Sequence, residues 1–301
     1  MGRALRILQL VAAFLAVTGS ASSKEIVVAC YNVQNYLTTD RRVDGRSEKS
    51  APKPESEVAA LIDVLKEINP DILGIIEMGD EAMLADFQTR LKAGGIDFPF
   101  REWVKGADKA RHVALLSKYP IVSRQSRDEV PFELNGVPTR IGRGILDVTV
   151  RPEEGFDLRL VGVHLKSRRQ VPEFDETAMR AKEAWFVRQH LDEILDKNPK
   201  ENLLLFGDFN DTKNEYAVKE LIGSSKSPGY MKDVFLMDDR GQRWTYFWSV
   251  ADIYSRIDFF LASRALTPRI NKERSGVSSS RVWFKASDHR AIFVTIKVSD
   301  K

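Results

Sequence analysis

Buried-looking runs of four to six apolar residues recur along the chain, and most of them end in a polar side chain. Glu25-Ile26-Val27-Val28-Ala29-Cys30-Tyr31 reads as a strand. Residues 38–54 are polar, charged and punctuated by Gly45, Pro52 and Pro54, so they read as a long loop that could overhang a site. Ser56 is a plausible N-cap, and Val58, Leu61, Ile62, Leu65 and Ile68 then recur at helical spacing until Asn69-Pro70. A buried strand over 71–76 ends at Glu77. A helix is expected over 81–93 and strands near 113–116, 121–123, 144–150 and 158–163. Residues 176–195 form a long amphipathic pattern that turns Met179, Trp185, Phe186, Leu191 and Leu195 toward the core. A strand over 203–206, a short helix over 215–221 and strands over 257–261 and 291–296 complete the pattern. Strands in hairpin-like pairs, interrupted by helices, predict an α/β fold. Two mostly antiparallel sheets pack face to face with helices outside, as one domain over 24–301.

The amino end reads differently. Arg3 and Arg6, an apolar run over 7–17 and then Gly19-Ser20-Ala21-Ser22-Ser23 have the order of a secretory signal peptide over 1–23. The run is too short to span a bilayer, which takes roughly 20 residues. No cysteine follows it to take a lipid, so no stable membrane anchor is expected after cleavage. Export to the periplasm or beyond is the expectation. Without Arg3 and Arg6 the formal charge falls from +3 to +1. A nearly neutral mature protein is not a general nucleic-acid coat, whose affinity would rest on many phosphate contacts. Cys30 is the only cysteine, which rules out an intrachain disulfide and a thiolate metal cluster. A monomer is expected.

The polar residues at the strand ends carry the chemistry. Asn32 follows the first strand, Glu77 ends the second and His164 ends Leu160-Val161-Gly162-Val163. Asp208 and Asn210 follow 203–207, Asp258 opens Phe259-Phe260-Leu261, and Asp288-His289 precede Ala291-Ile292-Phe293-Val294. Polar groups at the ends of buried strands are costly unless paired or bound to a ligand. If these strand ends meet, they line one acid-rich cleft. Its oxygen donors suit Mg²⁺, with Mn²⁺ as a substitute, better than zinc. A hard cation there would neutralise phosphate oxygens, and a carboxylate beside an amide would place and deprotonate a water.

Tyr31-Asn32-Val33-Gln34-Asn35, Ile75-Ile76-Glu77, Val163-His164-Leu165, Gly207-Asp208-Phe209-Asn210-Asp211, Arg256-Ile257-Asp258-Phe259 and Ser287-Asp288-His289 stand in a recognisable order. Together they resemble the endonuclease/exonuclease/phosphatase superfamily, from Asn32 to His289. Each motif alone is weak; six in order are specific. The resemblance implies a four-layer α/β sandwich and a Mg²⁺-dependent phosphoric ester hydrolase. It implies Glu77 as main metal ligand, with Asp288 and Asn32 supporting the metal, and Asn32 also touching phosphate. Asp208 and Asn210 would place the nucleophilic water, with Asp208 the favoured base. Asp258 would orient His289, which binds the phosphoryl group beside a second histidine, His164. Arg143, or Arg140 nearby, resembles a phosphate-contacting arginine.

Other features stay open at this stage. Lys166-Ser167-Arg168-Arg169 is a solvated basic turn or, through Lys166, a substrate-phosphate contact. Trp244, Tyr246, Phe247 and Trp248 are core aromatics or a platform for a flat group. Asp211, His112 and His190 read as structural. The leading function is a phosphodiesterase acting on nucleic acid or nucleotide. A phosphomonoesterase or lipid phosphodiesterase of inositol-phosphate or sphingomyelin type is the alternative, though no long apolar hairpin supports the lipid version. A binding module that kept the fold and lost the chemistry is the third.

Overall fold

A computed structural model describes residues 24–43 and 45–299, so the leader expected over 1–23 lies outside the described residues. In chain order the strands are β1 (Glu25–Tyr36), β2 (Thr39–Val43), β3 (Arg46–Ala51), β4 (Ile72–Met78), β5 (Phe100–Val104) and β6 (His112–Ser117). Next come β7 (Ile121–Arg124), β8 (Pro131–Leu134), β9 (Val137–Arg140), β10 (Leu146–Glu153), β11 (Phe156–His164) and β12 (Leu203–Asp208). The last six are β13 (Lys232–Asp233), β14 (Tyr246–Trp248), β15 (Ile253–Ser255), β16 (Asp258–Ala262), β17 (Ile270–Val277) and β18 (Ile292–Lys297). The helices are α1 (Glu55–Ile68), α2 (Glu81–Ala93), α3 (Glu176–Lys197), α4 (Tyr216–Ile222) and α5 (Trp283–Ala286).

Two six-stranded sheets form, in the orders β17-β18-β1-β4-β6-β5 and β13-β16-β12-β11-β10-β7. Each contains one parallel pair, β1 with β4 and β11 with β12, and the other pairs are antiparallel. The inner faces meet through Val28, Cys30, Ile76 and Leu115 of the first sheet and Leu146, Leu160, Leu204 and Phe260 of the second. Outer faces bury Leu61 and Leu65 of α1 and Phe87 of α2 on one side. On the other they bury Leu191 of α3 and Leu221 of α4. The result is the α/β sandwich of two sheets with helices outside that the pattern of the chain predicted, in the four layers that the resemblance implied.

The sheets close on one another around Phe206. A Cβ on Gly74 of β4 would lie 2.2 Å from its ring, and one on Gly162 of β11 would lie 2.5 Å from it. Two strands therefore give up side chains so that one large ring can fill the seam just beneath the cleft.

Three expectations are corrected. Residues 38–54 are not a structureless loop, because β2 and β3 pair as an antiparallel hairpin. Its residues are polar on both faces, so no apolar alternation announced it. The first helix starts at Glu55 with Pro54, not Ser56, at its N-cap. Trp185 is 40% exposed rather than core, its ring set edge-on against Phe186. The buried face of α3 instead takes in Arg180, Glu183, Arg188 and His190. Each has a partner: His190 meets Asp147 at 2.8 Å beside Arg159, Arg180 pairs with Asp211 and Arg188 with Asp192, and Glu183 accepts the Gly142 and Lys166 N–H groups. His112 rests on the Lys105 carbonyl at 2.6 Å.

Candidate active site

Register builds one wall of the cleft. His164 ends β11 level with Asp208 of β12, and Asp208 is level with Asp258 of β16. Three neighbouring strands thus deliver three chemical side chains in one row. Gly207 makes the row possible. Its φ of +151° is open to glycine, and a Cβ there would sit 1.8 Å from the Val163 carbonyl oxygen. Beyond the row, Asn210 adopts φ +53° and donates its amide N–H to Asp208 Oδ1 at 2.9 Å, while its side chain donates to the Leu165 carbonyl at 3.0 Å.

The first sheet supplies the facing wall. Glu77, in left-handed backbone at φ +64°, breaks the line of β4 and accepts the Asn35 N–H at 3.0 Å. Such a backbone costs roughly 1–3 kcal/mol in a non-glycine residue, and its surroundings must hold it. Asn32, at the matching position on β1, donates to Asp208 Oδ2 at 3.1 Å and so ties the two sheets together. The Ser287 hydroxyl donates to the Asn32 carbonyl at 2.8 Å and accepts the His289 N–H at 3.0 Å. Gln34 accepts the Asp288 N–H at 3.2 Å.

His289 crosses between the walls. Its Nδ1 is 2.8 Å from Asp258 Oδ2, and its Nε2 lies 3.8 Å from Asp208 Oδ2. His164 Nε2 approaches the same oxygen at 3.7 Å. Burial opposes a charge on His289, but the carboxylate of Asp258, with Asp208 and Asp288, raises it to about 10. His164 moves the other way: burial, then the charges of Arg143 and His289, keep it neutral. One histidine is a cation and the other is not, which suits them to different jobs. Burial and the negative charge of Asp258 push Asp208 up to about 7. Asp288 is also raised, by burial and by Glu77, against the pull of His289.

Together these groups line a cleft of about 540 Å³ with Glu77, His164, Asp208, Asn210, Asp288 and His289 along its floor. Asp258 and Asn32 stand directly behind them. Ser167, Arg168 and Arg169 form one rim, and Tyr246, Trp248 and Ile253 form the other. A larger cavity of about 690 Å³ lies at the β17 edge, lined by Phe235, Met237 and mixed charges, and none of the strand-end residues reaches it.

Two anticipated phosphate contacts are placed elsewhere. Lys166 is not at the cleft; its ammonium folds back onto the Ser167 and Arg169 carbonyls. Arg143 is buried and lies 3.1 Å from Asp108, behind the rim rather than in it. Arg140 is exposed and paired with Glu129. Asp211 binds Arg180 at 2.9 Å and is structural. The sequence motifs contain Gln34, Asn35 and Ser287 but give them no role, and Thr245 lies outside them. The Thr245 hydroxyl oxygen accepts both the Ile257 and Asp258 N–H groups at 3.1 Å. Gln34 and Asn35 had one visible signal, an amide pair just after a buried strand, where positive φ is tolerated best by such residues.

Do these donors fit a divalent cation? Glu77, Asp288 and Asp208, with Asn32, offer hard oxygens, and two of the three carboxylates are raised because like charges are gathered in a buried place. A cation among them offsets that cost. Asp208, Asp258 and His289 also present ligand atoms within 4.8 Å of one another. Asp258 is already committed to the Nδ1 of His289, so that cluster works as a relay better than as a cage.

The sequence model of the Endonuclease/Exonuclease/phosphatase family matches residues 29–289. No curated protein sequence matches the chain. Among solved structures, the human Nocturnin catalytic domain with bound sulfate anion superposes with a TM-score of 0.64 at 17% identity, covering 91% of this chain and 95% of that one. Truncated Caenorhabditis elegans TDP2 gives 0.60 at 18% identity over 91% and 98%. Sphingomyelinase C from Streptomyces griseocarneus gives 0.56 at 16% identity over 91% and 100%. These likenesses are of fold. With the family match spanning every strand-end motif, the chain belongs to the endonuclease/exonuclease/phosphatase family, whose members are metal-dependent phosphoesterases.

Proposed function

We propose that this chain is an exported, Mg²⁺-dependent phosphodiesterase whose first substrate class is nucleic acid. One observation carries the reading: the in-register row His164, Asp208, Asp258, with His289 held by Asp258, faces Glu77 and Asp288 across a single cleft.

The residues divide the work. Glu77 and Asp288, with Asn32, would hold the metal. When bound, that ion neutralises phosphate oxygens and stabilises the leaving oxygen. Asp208, raised to about 7, accepts the proton of the attacking water near neutral pH. Asn210 fixes its free rotation through the 2.9 Å amide contact. His289, kept protonated by Asp258, donates to a phosphate oxygen as charge builds in the transition state. Neutral His164 gives a second, weaker donor on the same side. Mn²⁺ fits the same oxygen set. The protein works as a monomer, and the Arg3, Arg6 and apolar segment at its start supports export.

A second reading, a lipid phosphodiesterase, gains from a feature the sequence did not reveal. β14 and β15 form a short hairpin at the cleft mouth with Trp248, Val250, Ile253 and Tyr254 exposed, Val250 by 85%. Apolar and aromatic tips of this kind suit a headgroup interface.

The test is a panel with the purified protein: plasmid DNA, RNA, bis-p-nitrophenyl phosphate, p-nitrophenyl phosphate, sphingomyelin vesicles and inositol phosphates, each with Mg²⁺, Mn²⁺, Ca²⁺ or EDTA. Metal-dependent cleavage of nucleic acid and of the diester above the monoester is expected. Asp208→Ala and His289→Ala should each remove at least a hundredfold. Activity that survives both substitutions ends the site assignment, and turnover confined to sphingomyelin selects the lipid reading.

A further inference from the structure

Glu77 and Asp288 come from distant parts of the chain, and one short bulge ties them together. Between its pairings of Asn32 with Ile76 and of Tyr36 with Met78, β1 carries Val33, Gln34 and Asn35 where β4 has Glu77 alone. The extra residues turn into left-handed backbone, with Gln34 at φ +47° and Asn35 at φ +57°. From this bulge the Asn35 N–H donates to Glu77 Oε2 at 3.0 Å, and the Gln34 side-chain oxygen accepts the Asp288 N–H at 3.2 Å. Two successive non-glycine residues in that conformation cost free energy, and they persist only where the surroundings over-determine them.

Two cations hold the bulge, and both belong to the segment that carries the β2–β3 ribbon. The Lys53 ammonium donates to the Gln34 carbonyl at 3.2 Å, and Glu57 of α1 pairs with it at 3.0 Å. The Lys53 side chain is only 2% exposed, a burial that lysine rarely accepts unless paired. The Arg41 guanidinium donates to the Asn35 carbonyl at 3.0 Å and to that of Leu37, while its Nε donates to the Ala51 carbonyl at 3.2 Å across the ribbon. One line of contacts therefore runs from α1 through Lys53 and Gln34 to Asp288. A second runs from β2 through Arg41 and Asn35 to Glu77. Burial raises the Asp288 carboxyl, and the charge of Lys53 is among those that oppose the rise, so the ammonium is felt at that carboxylate.

We propose that Lys53 and Arg41 are positioning residues for the divalent cation, bracing the Gln34–Asn35 bulge so that Glu77 and Asp288 are in place before the ion arrives. The inference rests on the reading that those two carboxylates take a metal, and it gives the β2–β3 ribbon a part in that site. Charge alone predicts the opposite sign. A cation near Asp288 repels a metal ion, so neutralising Lys53 would by charge alone tighten metal binding. A brace predicts looser binding on the same change, because the carboxylates must then be ordered as the ion binds.

Lys53→Met removes the charge and keeps the bulk. Lys53→Arg keeps the charge and has room in an adjoining cavity of about 290 Å³. Arg41→Ala cuts the second arm. Mn²⁺ binding to each purified protein is followed by the electron paramagnetic resonance of free Mn²⁺, with thermal unfolding in EDTA as the check on the fold. Lys53→Met and Arg41→Ala are each expected to weaken Mn²⁺ binding about tenfold, and Lys53→Arg to regain most of it. The Mg²⁺ concentration for half-maximal turnover of bis-p-nitrophenyl phosphate should rise by the same factor, with kcat at saturating Mg²⁺ within about twofold of wild type. Unchanged or tighter Mn²⁺ binding in Lys53→Met overturns the brace, and so does a loss that Lys53→Arg shares in full. Should Lys53→Met fail to fold, Arg41→Ala decides alone. Glu77→Gln separates the two claims. Binding lost there but kept in Lys53→Met removes the brace only, whereas a wild type that takes up no Mn²⁺ removes the metal reading and the brace with it.

Discussion

Replacing Gly74 by alanine adds one methyl group at the tightest point of the sheet-to-sheet seam. The new Cβ would stand 2.2 Å from the Phe206 ring, far inside contact distance. The ring has no escape on its other flank, where it already lies 2.5 Å from the Cβ position of Gly162. Phe206 is buried in the central core, and the surrounding strands are paired on both sides. Overpacking a well-filled core costs about 1–3 kcal/mol, and a hemmed-in ring puts this site at the upper end. A cost of about 3 kcal/mol corresponds to a Tm fall of about 6–12 °C for a domain of this size. Urea and thermal unfolding measure it directly. Phe206→Leu alone should cost about 1.5 kcal/mol, because the smaller side chain leaves space unfilled. In the double variant the added methyl occupies that space, so the combined cost should fall short of the sum by at least about 1 kcal/mol. Asp208 lies two residues beyond Phe206 and Glu77 three beyond Gly74, so activity should follow the same pattern of loss and partial rescue. An unchanged Tm for Gly74→Ala, or strict additivity in the cycle, would refute the account of the seam.

Three further outcomes follow from the geometry. Asp258→Asn removes the charge that holds His289 protonated and should reduce kcat at least a hundredfold with little change in KM; a normal kcat at neutral pH would contradict the relay. Asp147 is opposed by burial, but hydrogen bonds from Arg159 and His190 hold its carboxyl below the usual range. That stabilisation is complete above an ordinary aspartate value near ~4 and is lost as pH falls through the lower folded value. Asp147→Asn should therefore lose about 3 kcal/mol at pH 7, and the stability difference between wild type and variant should shrink below about pH 4; a gap that stays constant to pH 2 would be the wrong sign. Trp248→Ala combined with Tyr254→Ala should reduce oligonucleotide binding about tenfold if bases stack on the hairpin, with co-sedimentation on zwitterionic vesicles unaffected; the reverse pattern assigns the hairpin to lipid.

Much of the site could be read from the residues because its chemistry sits at the ends of buried strands. Asn32, Glu77, His164, Asp208 and Asp258 each interrupt an apolar run, and a polar side chain in that position is costly without a purpose. The sheets were legible for the same reason. What stayed hidden depended on direction rather than on type. Lys166 has the right charge in the right neighbourhood, but rotamer and turn geometry point it at the carbonyls of Ser167 and Arg169. Trp185 follows a helical apolar pattern yet faces outward, because the buried stripe of α3 is partly ionic. The β2–β3 ribbon has no dry face to mark it.

The middle of the first sheet joins early and late parts of the chain, since β1 lies between β4 and β18, with Val28 opposite Val294. The wall that bears Asn32 and Glu77 is itself unfinished without residues 292–297, and Asp288 and His289 stand just ahead of them in the chain. A chain that stops short of residue 288 therefore lacks two of the groups that line the cleft as well as a strand of the sheet behind it. The same adjacency brings Lys24 to within hydrogen-bond reach of Val298. A short linker could fuse those ends, and new ones opened at the Asn135-Gly136 hairpin turn would yield a circular permutant whose sheet closes without waiting for the last strand.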